Sequence, residues 1–137
     1  MNLPESRETA LLCVRFALER KAHDLVVLDV RGLTSLSDYF VICTGRSDTQ
    51  VQAIAQSIDE NLGKMGLNPL SREGYSIGHW VLLDYGDVIV HIFYEPVRDY
   101  YDLERLWGHA PRLALPEPYR SLAHEFRLVT EPNRQRV

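Results

Sequence analysis

Residues 80–93 read WVLLDYGDVIVHIF. Two apolar runs flank Asp84-Tyr85-Gly86-Asp87, which is the pattern of a β-hairpin; Gly86 supplies the positive φ that a tight turn demands. A two-residue Tyr85-Gly86 loop would make Asp84 and Asp87 cross-strand partners. Leu82 then opposes Ile89 and Trp80 opposes His91, on the same face as the aspartates. Val81, Leu83, Val88, Val90 and Ile92 lie on the other face. Both faces are apolar, whereas a half-exposed hairpin alternates with polar residues. The aliphatic face is expected beneath the long helices. The face of Trp80, Leu82, Ile89 and Phe93 needs its own cover: the last helix, the tail, a second copy or a partner.

Outward from the hairpin, the hydrophobic period switches several times. Leu11, Val14 and Leu18 repeat at helical spacing, which predicts an amphipathic helix over 5–22. DLVVLDV (24–30) and DYFVICTG (38–45) are short, β-branched and apolar, as buried strands are. Val51, Ile54, Ala55, Ile58, Leu62 and Met65 share one helical face. Ser47 with Gln50 fits a capping box at the start of that helix, and Gly66 fits its C-terminal stop. LNPLSREGY (67–75) is a weak strand that Pro69 confines to an edge. VRDYYDLERLW (97–107) closes the pattern with a short helix. The order α-β-β-α-β-β-β-α predicts an α/β (α+β) fold, a mixed sheet of about five strands flanked by helices. Residues 1–107 form the expected domain, and 108–137 a C-terminal extension, partly disordered or packed on the domain.

The chain has 137 residues, enough for one domain with a real core. Nothing resembles a run of ~18 apolar residues, so no membrane span is expected. The start, MNLPESRETALL, lacks a basic and then apolar leader, which points to the cytoplasm. Cys13 and Cys43 sit in apolar stretches without metal-ligand spacing and are expected as small buried hydrophobes. Residues 108–137 hold five arginines against three glutamates, a balance of +2. The whole chain carries −4, which leaves −6 for residues 1–107. An acidic body suits a basic protein partner better than DNA or RNA phosphate, although mild acidity also simply keeps a domain soluble.

An enzyme reading begins from CTGRSDTQ (43–50), a glycine-bearing turn into a helix of the kind that holds phosphate. Nucleotidyltransferases follow such a turn with two acids alternating on the next strand to bind magnesium. Here LNPLSREGY has no Asp-x-Asp, and no cluster of basic residues follows to clamp a triphosphate. Adjacent Asp59 and Glu60 point apart on their helix. The five histidines are scattered without metal-ligand spacing, and no G-x-S-x-G elbow is present. No catalytic residue, metal or cofactor is expected. Tyr94, Tyr100, Tyr101 and Trp107 have too few basic neighbours for a base-stacking platform and are expected to pack helix on sheet.

LDVRGLTSLSDYFVICTGRSDTQVQAIA, GHWVLLDYGDVIVHIF and RDYYDLERLW, in this order, resemble the ribosomal silencing factor family, also called Iojap, from about residue 8 to Trp107. The resemblance implies a nucleotidyltransferase-like fold without the catalytic acids. It also implies binding to a ribosomal protein, number fourteen of the large subunit, which blocks joining of the small subunit and represses translation. Homodimers are implied too. The family's binding residues map best onto Trp80, Asp84 and Tyr85; the face argument adds Leu82 and Asp87. Trp80 is then the expected desolvated anchor, and the aspartates pair with basic residues across the interface. Two other readings stand beside this one: a nucleotidyltransferase-like enzyme, and a dimeric adaptor unconnected to ribosomes. The extension after Trp107 departs from the family pattern.

Overall fold

The computed structural model describes residues 5–127. Its elements are α1 (Ser6–Leu18), β1 (His23–Asp29), β2 (Tyr39–Gly45), α2 (Asp48–Lys64), β3 (Ser71–Glu73), β4 (Trp80–Asp84), β5 (Val88–Tyr94), α3 (Glu95–Tyr101), α4 (Leu103–Leu106) and α5 (Tyr119–Glu125). The strands form one sheet in the order β1-β2-β5-β4-β3. β2 and β5 run parallel, and the other neighbouring pairs are antiparallel. This is the mixed five-stranded sheet that the hydrophobic periods predict, with the weak strand at an edge as Pro69 requires.

The helices α1 and α2 pack on one side of the sheet. Val14, Ile54, Ile58 and Leu62 are buried there against Val27, Val41, Val81, Leu83, Val90 and Ile92. Each such side chain contributes roughly 1.5–3 kcal/mol by leaving water. Cys13 and Cys43 are buried, and neither forms a disulfide. A second, smaller core lies on the opposite side: Val26, Leu28, Phe40, Ile42 and Phe93, with Val97, Leu103 and Trp107 packed against it. β2 is buried along its whole length because both cores need it.

Turn chemistry sets the helix ends. Ser47 Oγ accepts the Gln50 N–H at 3.0 Å, as expected of the cap. The Gln50 side chain does not return to Ser47, however. It accepts from the Arg46 N–H at 2.7 Å and donates to the Arg20 and Lys21 carbonyls at 3.2 and 3.1 Å. Gly66, at φ +85°, ends α2 as predicted. α1 stops four residues short of its expected end, at Leu18. There the Ala22 and Lys21 N–H groups bond back to Ala17 and Leu18, with Lys21 left-handed at φ +58°.

The hairpin differs from expectation in register. Asp84 pairs with Ile89, Leu82 with His91 and Trp80 with Phe93. The expected pairs Asp84–Asp87, Leu82–Ile89 and Trp80–His91 do not form. The loop is Gly86-Asp87, closed by the Tyr85 N–H to the Val88 carbonyl at 2.8 Å. With glycine first, a two-residue loop needs positive φ only there, and Gly86 has φ +86°. Tyr85 gains by packing on the helix-side core instead of standing in the loop. The register moves by two residues, an even number, so the residues of β4 and β5 keep their expected faces.

The helix expected over 97–107 is also broken. Asp102 is left-handed at φ +47° and separates α3 from α4. Beyond it the chain returns along β1: the Asp29 N–H donates to the Pro111 carbonyl at 2.7 Å and the Leu113 N–H to the Val27 carbonyl at 2.8 Å. Leu113, Leu115, Tyr119, Leu122, Ala123 and Phe126 then pack on the helix-side core. The spacing of Tyr119, Leu122, Ala123 and Phe126 is helical, but prolines at 116 and 118 hide it. Arg134, Arg136 and Glu131 of the extension lie outside the described residues.

Candidate functional site

β4 carries the site, because its side chains alternate between the two cores. Trp80, Leu82 and Asp84 face away from α1 and α2 and are each half-buried. The cover of this face stops at Trp80. Its ring lies 4.9 Å from Phe93 and 4.6 Å from Tyr101, centroid to centroid. The indole Nε1 donates to His91 Nδ1 at 3.1 Å. Tyr101 is half-exposed and Tyr100, whose ring sits edge-on to it at 5.1 Å, is 82% exposed. One strand outward, Leu82 is flanked by exposed Glu73, its β3 partner. The result is an apolar, aromatic strip from Tyr100 to Leu82, with Glu73 and Asp84 beside it.

Five residues were expected at the site, and the structure brings three of them together. Asp84 turns its carboxylate inward along the loop, where Oδ1 accepts the Gly86 N–H at 2.7 Å. Its role in holding the turn is therefore as clear as its acidity. Asp87 is exposed in the loop, and its carbonyl accepts from the Asp38 and Tyr39 N–H groups and from Ser37 Oγ. It does not face Asp84, so no repulsion between the two shapes the turn. Tyr85 lies on the opposite side of the sheet from Trp80. Its hydroxyl is buried and has no hydrogen-bond partner among the described residues, and burial raises its pKa. It cannot share a flat surface with Trp80. Tyr101 was expected only as helix-on-sheet packing; it also extends the strip.

His91 ties the strip to the core. It is buried, edge-on to Phe40 at 5.6 Å, and burial lowers its pKa from 6.5 to about 4. The neutral ring is the form that accepts the indole proton. Its folded pKa is depressed, so the unfolded chain binds more protons between pH 6.5 and 4. Stability is therefore full above pH 6.5 and falls as the pH drops towards 4, by up to about 3 kcal/mol. Burial also lowers the pKa of His23, with the same sign. Urea denaturation from pH 7 to 4 measures the slope, and His91→Gln, which keeps an acceptor but does not titrate, is expected to flatten most of it.

Among the described residues, no group of three or more His, Cys, Asp or Glu is placed to hold a metal ion, and no helix is long and apolar enough to cross a membrane. The model of the family described as "Ribosomal silencing factor during starvation" matches residues 3–136. A protein named ribosomal silencing factor RsfS from Bacillus subtilis is 46% identical over 93 residues, 68% of this chain and 79% of the relative. Another of that name, from Halalkalibacterium halodurans, is 41% identical over 110 residues, 80% of this chain and 94% of the relative. A crystal structure of a Chromobacterium violaceum protein superposes with a TM-score of 0.75 at 38% identity, covering 86% of this chain and 99% of that one.

Proposed function

The chain belongs to the ribosomal silencing factor family, and from that premise we propose that it docks on the large ribosomal subunit with the β4 strip and sterically blocks joining of the small subunit. The direct partner is a basic ribosomal protein, number fourteen of the large subunit. The single observation that supports this reading best is the strip itself: Trp80, Tyr101 and Leu82 stand partly exposed at the rim of the second core, beside Glu73 and Asp84. A ring already held by Phe93 and Tyr101 loses little freedom on docking, which makes Trp80 a suitable anchor. The acids set orientation and association rate more than affinity. The protein then acts by occupying space in the cytoplasm's pool of free subunits. No bond is made or broken, and the chain works as a regulator, not an enzyme. A homodimer through the same strip would compete with the ribosome.

Co-sedimentation with purified large subunits, with a subunit-joining assay in the same tubes, tests this. The wild type is expected to bind and to prevent joining. Glu73→Lys, at an exposed side chain beside Leu82 with no ion pair among the described residues, should weaken binding about tenfold, ~1.4 kcal/mol, with an unchanged Tm. Asp84→Lys is a poorer probe because it also removes the acceptor for Gly86. Failure of well-folded wild type to bind large subunits would sink the reading.

A further inference from the structure

We propose that Arg20, Lys21, Arg46 and Arg127 form a second contact surface, which meets the phosphate backbone of ribosomal RNA when the protein is docked on the large subunit. The inference rests on the docking reading above and adds a second class of partner to it.

The cations come from three stretches of sequence, 20–21, 46 and 127, that meet in the fold. The Gln50 side chain joins the Arg46 N–H to the Arg20 and Lys21 carbonyls, so the α1–β1 and β2–α2 turns are clamped together. The Asp24 N–H donates to the Phe126 carbonyl, and the His23 ring lies 6.0 Å from that of Phe126, which brings Arg127 to the same corner. All four side chains are exposed. Arg15, Arg31, Arg72, Arg98, Arg112 and Arg120 each have a carboxylate partner. None of the four has an ion pair among the described residues. The nearby Glu19 is taken by Arg15 at 3.6 Å, and Asp24 and Glu95 lie by His23 together with Arg46, so the corner sets four cations against two further acids. On a chain of net charge −4, unpaired cations gathered at one corner stand out.

Lys21 adds an independent sign. Its φ of +58° at the end of α1 is the position where helices ordinarily place glycine. The chain keeps a long cation there and accepts the conformational cost. The Trp80 strip lies at the same end of the sheet, level with Phe93 and Thr44, so one bound molecule can touch protein with the strip and a polyanion with this corner. RNA is the favoured occupant because it presents the repeating phosphates that several unpaired arginines and a lysine neutralise together.

The test uses the full chain and purified large subunits, titrated from 50 to 200 mM KCl, together with hydroxyl-radical footprinting of the ribosomal RNA. Wild type is compared with the double variant Lys21→Gly, Arg46→Gln and with a charge-matched control, Arg7→Gln, Lys64→Gln. Two lost phosphate contacts should cut the salt sensitivity so that the variant loses roughly tenfold less affinity than wild type over this range. It should also lose a tract of backbone protection, while the control behaves as wild type. Lys21→Gly alone should raise the Tm by a few degrees, which separates weaker binding from unfolding. Equal affinity and salt slope for variant and wild type would overturn the inference and leave the docking reading standing. Weaker binding without loss of RNA protection would assign the corner to an acidic protein surface and overturn it too. If wild type ignores large subunits, the docking reading fails first and this one with it.

Discussion

Arg98→Ala lowers the free energy of unfolding by about 3–5 kcal/mol. Arg98 is buried in the last turn of α3. Its Nε and Nη2 donate to Glu104 Oε1 at 3.1 and 2.9 Å, and its Nη1 to Thr44 Oγ1 at 2.8 Å and to the Asp24 carbonyl. One guanidinium thus holds α3 and α4 to the start of β1 and the end of β2. Alanine leaves a buried threonine hydroxyl and a carboxylate without their donor, although Arg112 still approaches Glu104 at 3.5 Å. Arg98→Lys is expected to fall between, since one ammonium cannot repeat the forked geometry. Urea denaturation checks this; a loss below about 1 kcal/mol would reduce the network to an ordinary surface ion pair. Because α3 carries Tyr101 over Trp80, affinity for large subunits should fall in the same variant even where the sheet remains folded.

Trp80→Ala is expected to reduce large-subunit affinity at least thirtyfold, about 2 kcal/mol or more, which is the scale of an anchoring aromatic. Truncation also removes the indole that donates to His91 and packs on Phe93, so stability falls and must be measured alongside. Trp80→Phe separates the two effects. It keeps a ring against Phe93 and Tyr101 and should retain most of the affinity, while losing the hydrogen bond to His91. Binding by folded Trp80→Ala that matches wild type would make the ring a packing residue and nothing more.

The alternation of β4 and β5 was legible because side-chain parity needs only the sequence. Register was not, because it hinges on which residues occupy the loop, and both Tyr85-Gly86 and Gly86-Asp87 contain the glycine. The same uncertainty hid Tyr85's side of the sheet. The break at Asp102 escaped notice because a left-handed aspartate leaves no mark on a helical period. The Trp80–Leu82 strip could be read from the sequence as a face needing cover, but where that cover ends depends on α3 and α4 in three dimensions. The corner of Arg20, Lys21, Arg46 and Arg127 was invisible for a different reason: it is assembled across a hundred residues by one glutamine side chain and a returning C-terminal segment.

That returning segment has a consequence for how copies of the chain meet. An outermost strand offers its unused backbone groups to any strand that comes by. Residues 111–113 already occupy those of β1, so the molecule guards that border with its own chain. Among the described residues the other border is β3, three residues long and next to Leu82. A dimer that continued the sheet would have to start there, beside the strip proposed for the ribosome. On the docking proposed above, such self-association and silencing would draw on one small stretch of surface, and the abundance of the protein, as well as its affinity, would set how many subunits are held idle.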